Sequence, residues 1–525
     1  MTDSRFRRLP VGIQSFKVIR EENYLYVDKS DIVWNMVNLG DKYNYLSRPR
    51  RFGKSVLVDT LESYLEGRKD LFEGLKIMQL EKDWKQYPVI RLDMSRGGAN
   101  EDTLRSYLNL RFKDYEEKYN ITPDPTAMLA DRFHAIIATA YKQTGLRVAV
   151  LIDEYDSPLQ HSWRTPEHEK CTGVYREVFA ILKADDEYEQ FIFITGITKF
   201  TQISLFSVLN NLSNISFMPE YATICGITEE EIKENFMPEI KQMSEANNWS
   251  VQETHDRLKA YYDGYHFSRR NMVDVYNPYS LVNALKSKEI INFWASSGAT
   301  SLLPKFVDNA ELRLSKFENC SVMRNTLELS DVSGGGAELF LYQSGYLTIK
   351  DSDEFGYILG FPNEEVKQAL YETVLPALAM RSESEILSLQ ACLYRYLGTG
   401  QIDEAMKSLK ALIADVPYSN KKLASMDMEE RYRLIISTIL NAIGLNVEVE
   451  KMISTGRIDM TVKTSRYIYV IELKLRNNGG KEAATEQILN RQYMEPFKAD
   501  KRKVIGLGIE LDEDGKGLLG WKRAE

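Results

Sequence analysis

Cysteine is scarce in this chain and unpaired. Cys171, Cys225, Cys320 and Cys392 stand far apart with no C-x-x-C among them. That spacing speaks against a disulfide framework and a cysteine zinc site, and it fits a reducing compartment. Histidine is sparse too. His255 and His266 stand apart without an evident partner in sequence, which speaks against metal ligation. No apolar run approaches the ~20 residues that cross a bilayer, and the opening MTDSRFRRLP has no apolar signal core. A cytoplasmic protein without a membrane partner is expected. A basic excess is also missing. Net charge is −9, which argues against unselective coating of nucleic acid by the whole surface. The charge is uneven, however: residues 401–525 sum to about +2, so this part is friendlier to phosphate. What remains is ordinary globular composition, 43% hydrophobic and 27% charged. At 525 residues the chain is too long for one core, and roughly two to four domains are expected.

One further absence is informative. The stretch NYLSRPRRFGKSVLVDTLESYL, Asn44 to Leu65, ends in Gly53-Lys54-Ser55 like a phosphate-binding loop. The pattern G-x-x-x-x-G-K-[ST] would place its first glycine where Arg48 stands. The context is otherwise right. KYNYLS before it reads as a short strand. After it, Val56, Leu57, Leu61, Tyr64 and Leu65 recur at helical spacing, and Gly67 can stop the helix. The phosphate-facing amides come from the later half of such a loop, here Arg51 to Ser55. Arg48 can occupy the start if the backbone there does not need φ > 0. Cofactor contacts are therefore expected at Arg50, Arg51, Phe52, Gly53, Lys54, Ser55 and Val56. Lys54 would reach the terminal phosphates and Ser55 would ligate magnesium. A solvated basic turn is the bland alternative.

LRVAVLIDEYDSPL supplies the acids such a loop needs. Val148 to Ile152 is a continuous apolar run, as in a strand of a parallel sheet covered on both faces, and Asp153-Glu154 follow at its C-terminal end. Asp153 would hold the magnesium and Glu154 would polarise the attacking water. YEQFIFITGITKF is a further apolar strand, after which Thr198 or Lys199 could sense a terminal phosphate. YPVIRLDMS is a fourth. Strands alternating with helices predict a parallel α/β sheet. VGIQSFKVIREENYLYVDKS, LSRPRRFGKSVLVDTL, PVIRLDMS, VLIDEYDSPL and TGITKFTQISLFSVLNNL together resemble the prokaryotic AAA-ATPase-like family over residues 9–212. RPRRFGKS looks like that family's own phosphate-binding loop. The resemblance implies a P-loop NTPase domain over residues 1–225, with ATP and Mg²⁺ as cofactors.

Residues 226–400 read as a mainly helical lid or linker region. Thr228 with Glu231 forms a capping-box pattern, and Asn277-Pro278 marks a turn. The tyrosines of YYDGYHFSRRNMVDVYNPYSL read as core. Residues 334–372 carry two strand-like runs. They read either as a winged-helix-like module or, with Gly334-Gly335-Gly336, as a plain linker. Residues 380–425 return to helical periodicity.

The second constellation is STGRIDMTVKTSRYIYVIELKL, residues 454–475. Asp459, Thr461 and Lys463 alternate with Ile458, Met460 and Val462, and Glu472 and Lys474 lie two apart on the next strand. Two carboxylates can bind a divalent cation, and a lysine beside them can orient water and stabilise phosphorane charge. Exposed charges on a hairpin are the alternative, but charges ending the buried run YIYVI need a reason. The predicted order is helix 428–443, strands 446–453, 457–463 and 467–474, helix 481–495, strand 503–508. This order and its motif resemble the PD-(D/E)XK nuclease superfamily over about residues 405–510. The resemblance implies a restriction-endonuclease-like α/β domain at 401–525. Asp459 is the first acid, Glu472 the second, Lys474 the lysine, Glu429 the helical acid, and Gln487 and Tyr493 the glutamine and tyrosine of the later helix. Asp459 and Glu472 would hold Mg²⁺ or Mn²⁺. Relatives often carry histidine after Tyr432; here it is Arg433.

Together these readings predict an ATPase coupled to a metal-dependent nuclease acting on DNA or RNA. The alternatives are a nucleotide-gated regulator whose nuclease-like domain grips nucleic acid or protein without cutting, and an ATPase that remodels protein. A homo-oligomer would allow an arginine finger from a neighbouring copy, but no arginine is assigned.

Overall fold

The protein is described by a computed structural model over residues 8–124, 126–199, 211–296, 303, 317–329, 336–379, 383–414 and 427–524. Residues 200–210 of the third strand motif, Gly334-Gly335, residues 415–425 of the last helical stretch and parts of the middle region lie outside these. Packing divides the chain into two compact units, Met1–Ser297 with Asn319–Asn363, and Gly298–Glu318 with Glu364–Glu525.

The first unit is built on a parallel sheet of β1 (Tyr43–Ser47), β2 (Val89–Asp93), β3 (Val148–Asp153), β4 (Glu189–Gly196) and β5 (Ser213–Asn214), in the order β2-β3-β4-β1-β5. β3 is buried along its whole length, as its unbroken apolar run requires with both faces covered. Because the strands are parallel, the loop after β1, the acids after β3 and the turn after β4 emerge at one edge. The loop runs into a helix, Lys54–Leu65, packed on the sheet through Leu57, Val58, Leu61 and Leu65.

The helical middle has its own core. Ile232, Phe236, Ile240, Met243, Leu258, Tyr262, Tyr276 and Leu281 cluster from helices Glu229–Asn235, Met237–Asn247, Val251–Tyr262 and Pro278–Ser287. Thr228 and Glu231 form the expected capping box. The periodic run breaks after Asn235 at Phe236, and Met237-Pro238 open the next helix. Proline suits a first turn and not a helix interior. Asn277 caps Pro278–Ser287 by accepting from the amides of Tyr279 and Ser280. A two-stranded ribbon joins β6 (Ile227–Thr228) to β7 (Val275–Tyr276). The two strand-like runs near residue 350 pair with a third, giving an antiparallel sheet of β8 (Cys320–Met323), β9 (Thr348–Ser352) and β10 (Gly356–Gly360).

The second unit carries a mixed sheet ordered β11 (Asn446–Ile453), β12 (Gly456–Lys463), β13 (Tyr467–Leu475), β14 (Lys503–Leu511) and β15 (Leu518–Ala524). β13 and β14 run parallel and the other neighbours antiparallel. Helix Met428–Ala442 precedes it, and helix Gly480–Asn490 packs Ile488 against Ile458, Ile468 and Val470. Two expectations need correction. The last helix stops at Asn490, not 495, because Gln492 turns left-handed and the Tyr493 amide closes back onto the carbonyl of Ile488. The short run LLGWKRA, unmarked by alternation, adds β15 at the edge.

Candidate functional sites

The first site begins with the residue that breaks the glycine pattern. Arg48 does not need φ > 0; the left-handed residues of the loop are Arg51, φ 66°, and Gly53, φ 86°. The Arg48 side chain turns inward and is 1% exposed. Nη1 donates to the carbonyls of Ser47 (2.8 Å) and Ser216 (2.9 Å), and Nη2 to that of Tyr221 (2.8 Å). The guanidinium also lies over the Phe267 ring at 4.1 Å. Phe52 is buried as well, edge-on to Tyr265 and Phe267. The tyrosine-rich middle segment is thus the platform on which the loop rests, and Arg48 is the bolt.

The rest of the loop faces a cavity of about 590 Å³, within the range of ligand sites. Arg50, Arg51, Phe52, Gly53, Lys54, Ser55, Val56 and Glu154 all line it. Gly53 ends the loop with no side-chain cap on the helix behind it, so the first N–H groups of that helix are open to an anion. A Cβ at Gly53 would meet open space; glycine serves the backbone angle there, not the room. Lys54 Nζ donates to the carbonyls of Arg48 and Pro49, both at 3.0 Å. Burial pulls its pKa down, against the pull of the Glu154 and Asp153 carboxylates. The Ser55 hydroxyl lies near enough to Asp153 to favour its carboxylate, and a magnesium ion would be shared by the two. Burial raises the pKa of Asp153, with Asp93 of the facing strand adding to the effect, and burial also raises that of Glu154. Glu154 is itself left-handed at φ 46°, its amide held by the Asp153 carboxylate at 2.9 Å.

Thr198 does not line this cavity. It is buried, and its amide and hydroxyl both donate to Asp156 Oδ2 at 2.6 Å. Lys199 Nζ reaches the carbonyl of Glu328 at 3.0 Å. Sequence reasoning missed the remaining walls. Val11 and Ile13 of the quoted VGIQSF piece, with Val33, Phe236 and Val282, make the apolar lining, and Tyr279 stacks under the Arg51 guanidinium at 4.7 Å. The turn at Asn277-Pro278 was legible; that it caps a helix facing the loop was not. The residues fit a nucleoside triphosphate with magnesium: open helix amides, a Ser–Asp pair, a lysine and an apolar recess.

The second site lies where β12 and β13 part company. Their ladder ends at Met460–Ile471, just short of Asp459 and Glu472, while Glu472 stays in register with Gly508 of β14. Asp459 Oδ2 accepts the Leu473 amide at 2.9 Å. Glu472 is 2% exposed. Gln487 Nε2 donates to its Oε1, and to the Tyr493 hydroxyl at 3.3 Å. Lys474 Nζ lies 3.6 Å from Glu472 Oε1 and 3.7 Å from Glu429 Oε1. All six expected residues therefore converge, Tyr493 through Gln487. Burial, with Asp459 beside it, pushes the Glu472 carboxyl up to about 8; burial raises Glu429 as well. Glu472 Oε2 is buried without a hydrogen-bond partner, an orphan acceptor in a place that suits a cation. Among the described residues no group of three or more His, Cys, Asp or Glu side chains is arranged to hold a metal; Asp459 and Glu472 are the neighbouring carboxyls that could serve as oxygen donors. Arg433, one helical turn beyond Glu429, lies 3.4 Å from Asp459 Oδ1 and 2.7 Å from Glu450 Oε1.

Comparison with known proteins agrees with both halves. A family described as predicted AAA-ATPase matches residues 10–206, and the PD-(D/E)XK nuclease superfamily matches residues 427–519. The chain is 31% identical over 534 residues to an uncharacterized protein in the vnfD 5′ region of Azotobacter chroococcum mcd 1, covering 98% of each. The chain belongs to this family, in which an AAA-ATPase-like domain is followed by a PD-(D/E)XK nuclease superfamily domain. No helix among the described residues is long and apolar enough to cross a membrane.

Proposed function

We propose that the protein binds and hydrolyses ATP at the Arg50–Val56 loop and cuts nucleic-acid phosphodiester bonds at Asp459 and Glu472. The observation that carries this reading is the convergence of Glu429, Asp459, Glu472, Lys474 and Gln487 around an orphaned buried carboxylate oxygen. In the first site the apolar recess takes the base, the loop amides and Lys54 take the phosphates, and Arg50 and Arg51 add charge at their outer end. Glu154 accepts the proton of the attacking water, helped by a pKa already raised toward neutrality. Thr198, held on Asp156, positions the end of β4 without touching nucleotide. In the second site Lys474 stabilises charge on the scissile phosphate and Gln487 holds Glu472 in place. Magnesium at Ser55 and Asp153, and magnesium or manganese at Asp459 and Glu472, would neutralise phosphate charge and activate water.

Two phosphate-chemistry sites on one chain suggest that nucleotide state governs nuclease action. The test is cleavage of labelled single- and double-stranded DNA and RNA with Mg²⁺ or Mn²⁺, with and without ATP, by wild type, Asp459→Ala and Lys54→Ala. Cutting lost in Asp459→Ala supports the nuclease. Lys54→Ala that cuts and binds like wild type, with and without ATP, overturns the coupling. A second reading, a nucleotide-gated grip on nucleic acid or protein without cutting, is favoured by Arg433 lying against Asp459. Intact ATP hydrolysis with no cutting of any substrate would select it.

A further inference from the structure

Glu450 has a backbone conformation that a glutamate in a strand rarely adopts, φ 54°. Its neighbours Val449 and Lys451 pair with Met460 and Ile458, so Glu450 lies directly across the ladder from Asp459. The left-handed kink sits at the first acid of the proposed nuclease site, and strain of this kind is kept where a side chain must be re-aimed. What the kink aims is a carboxylate shared by two guanidiniums. Glu450 Oε1 is 2.7 Å from Arg433 Nη1 and 3.2 Å from Arg457 Nη1. Arg433 is shared between Glu450 and Asp459, whereas the acidic contact of Arg457 is Glu450. Among the described residues the closest acidic contacts of both guanidiniums run through Nη1, and each fork carries further N–H donors of the kind that meet phosphate oxygens. The Arg457 side chain is 54% exposed and that of Glu450 46%, while Arg433 is 12% exposed and reaches Asp459. The assembly therefore runs from solvent to the first acid.

We infer that Arg433 and Arg457 form a grip for a backbone phosphate of the nucleic-acid strand, with Glu450 as the anion that holds the two forks until phosphate displaces it. The inference rests on the nuclease reading. The physical need is plain. Carboxylates at Glu429 and Asp459 repel an approaching phosphodiester, and Lys474 is already beside Glu429 and Glu472. Two arginines at the rim offset that repulsion and bring a phosphate next to Asp459. The carboxylate, half exposed, is replaceable by a phosphodiester of the same charge, whose two free oxygens match two forks.

The test uses the full chain and the variants Arg433→Gln, Arg457→Gln and Glu450→Gln. Binding of fluorescent single- and double-stranded DNA and RNA is followed by anisotropy across a salt series, with calcium in place of magnesium. Mn²⁺ binding, compared with Asp459→Ala, is the second readout. Each arginine variant should weaken binding roughly tenfold and lower the slope of log affinity against log salt by about 0.7–0.9. Glu450→Gln should tighten binding, and Arg457→Gln should bind Mn²⁺ like wild type. A merely structural triad would leave the salt slope unmoved, and Glu450→Gln would then weaken binding with the rest. If wild type binds and cuts while both arginine variants keep its affinity and slope, the grip alone is wrong. If wild type neither binds nor cuts any of the four substrates, the nuclease reading falls and the grip with it.

Discussion

The guanidinium of Arg48 and the ring of Phe267 are stacked 4.1 Å apart, although 219 positions separate them in the chain. This contact explains why a phosphate-binding loop can begin with arginine. The buried guanidinium holds three carbonyls, that of Ser47 at the end of β1 and those of Ser216 and Tyr221. Restoring the glycine of the general pattern should therefore harm the protein. Arg48→Gly should cost roughly 2–4 kcal/mol of stability by orphaning those carbonyls and emptying the space over Phe267. Thermal unfolding checks this, and ATP binding should fall with it. A variant as stable as wild type would remove Arg48 from its role as anchor.

Asp156 should prove as important to the first site as the acids that face the cavity. Its Oδ2 accepts from the amides of Ile197 and Thr198, the Thr198 hydroxyl and Gln160 Nε2, all within 3.0 Å. Asp156→Ala should cost about 3–5 kcal/mol, as for a buried acceptor removed from its donors, and should slow ATP hydrolysis through the displaced end of β4. Thr198→Val removes one donor and should cost about 1–2 kcal/mol. Equal denaturation midpoints for wild type and Asp156→Ala would refute this account.

Glu189 should make the first unit less stable as pH rises. It is fully buried at the start of β4, and burial pushes its carboxyl up to about 8, against the opposing hydrogen bond from Tyr43. The folded state thus holds a proton that the unfolded chain releases near 4.5. The stabilisation is complete below that value and is lost as pH climbs through about 8, at up to about 1.4 kcal/mol per pH unit. Glu189→Gln, neutral throughout, should flatten the fall in melting temperature between pH 5 and 8. A slope identical in the two proteins would mean that Glu189 ionises normally.

Gln487 should matter to cation binding more than to folding. It donates to Glu472 while Glu472 Oε2 stays free for a cation. Gln487→Leu should weaken Mn²⁺ binding and slow cleavage by a common factor of roughly 10–100, as for partners that orient metal ligands. Isothermal titration and cleavage rates measured on one preparation decide it. A cleavage rate that drops while Mn²⁺ affinity stays fixed would assign Gln487 to the substrate instead.

The elements and the local chemistry can be read from the residues in order. Apolar runs, a capping box and acid-ending strands state their structure within a few residues, because backbone hydrogen bonding and side-chain periodicity are short-range. Hence the loop, Asp153 and Glu154, and the strand pair carrying Asp459, Glu472 and Lys474 were all legible. The edge strand β15 and the early stop of the last helix were not, since one depends on finding a partner and the other on a single left-handed residue at Gln492. It takes the folded chain to show that Arg48 is an anchor, that Thr198 turns away from the cavity onto Asp156, that Tyr279 backs Arg51, and that Glu450 gathers two arginines opposite Asp459. Each of these depends on which distant residue a side chain meets, and that is settled by packing rather than by pattern.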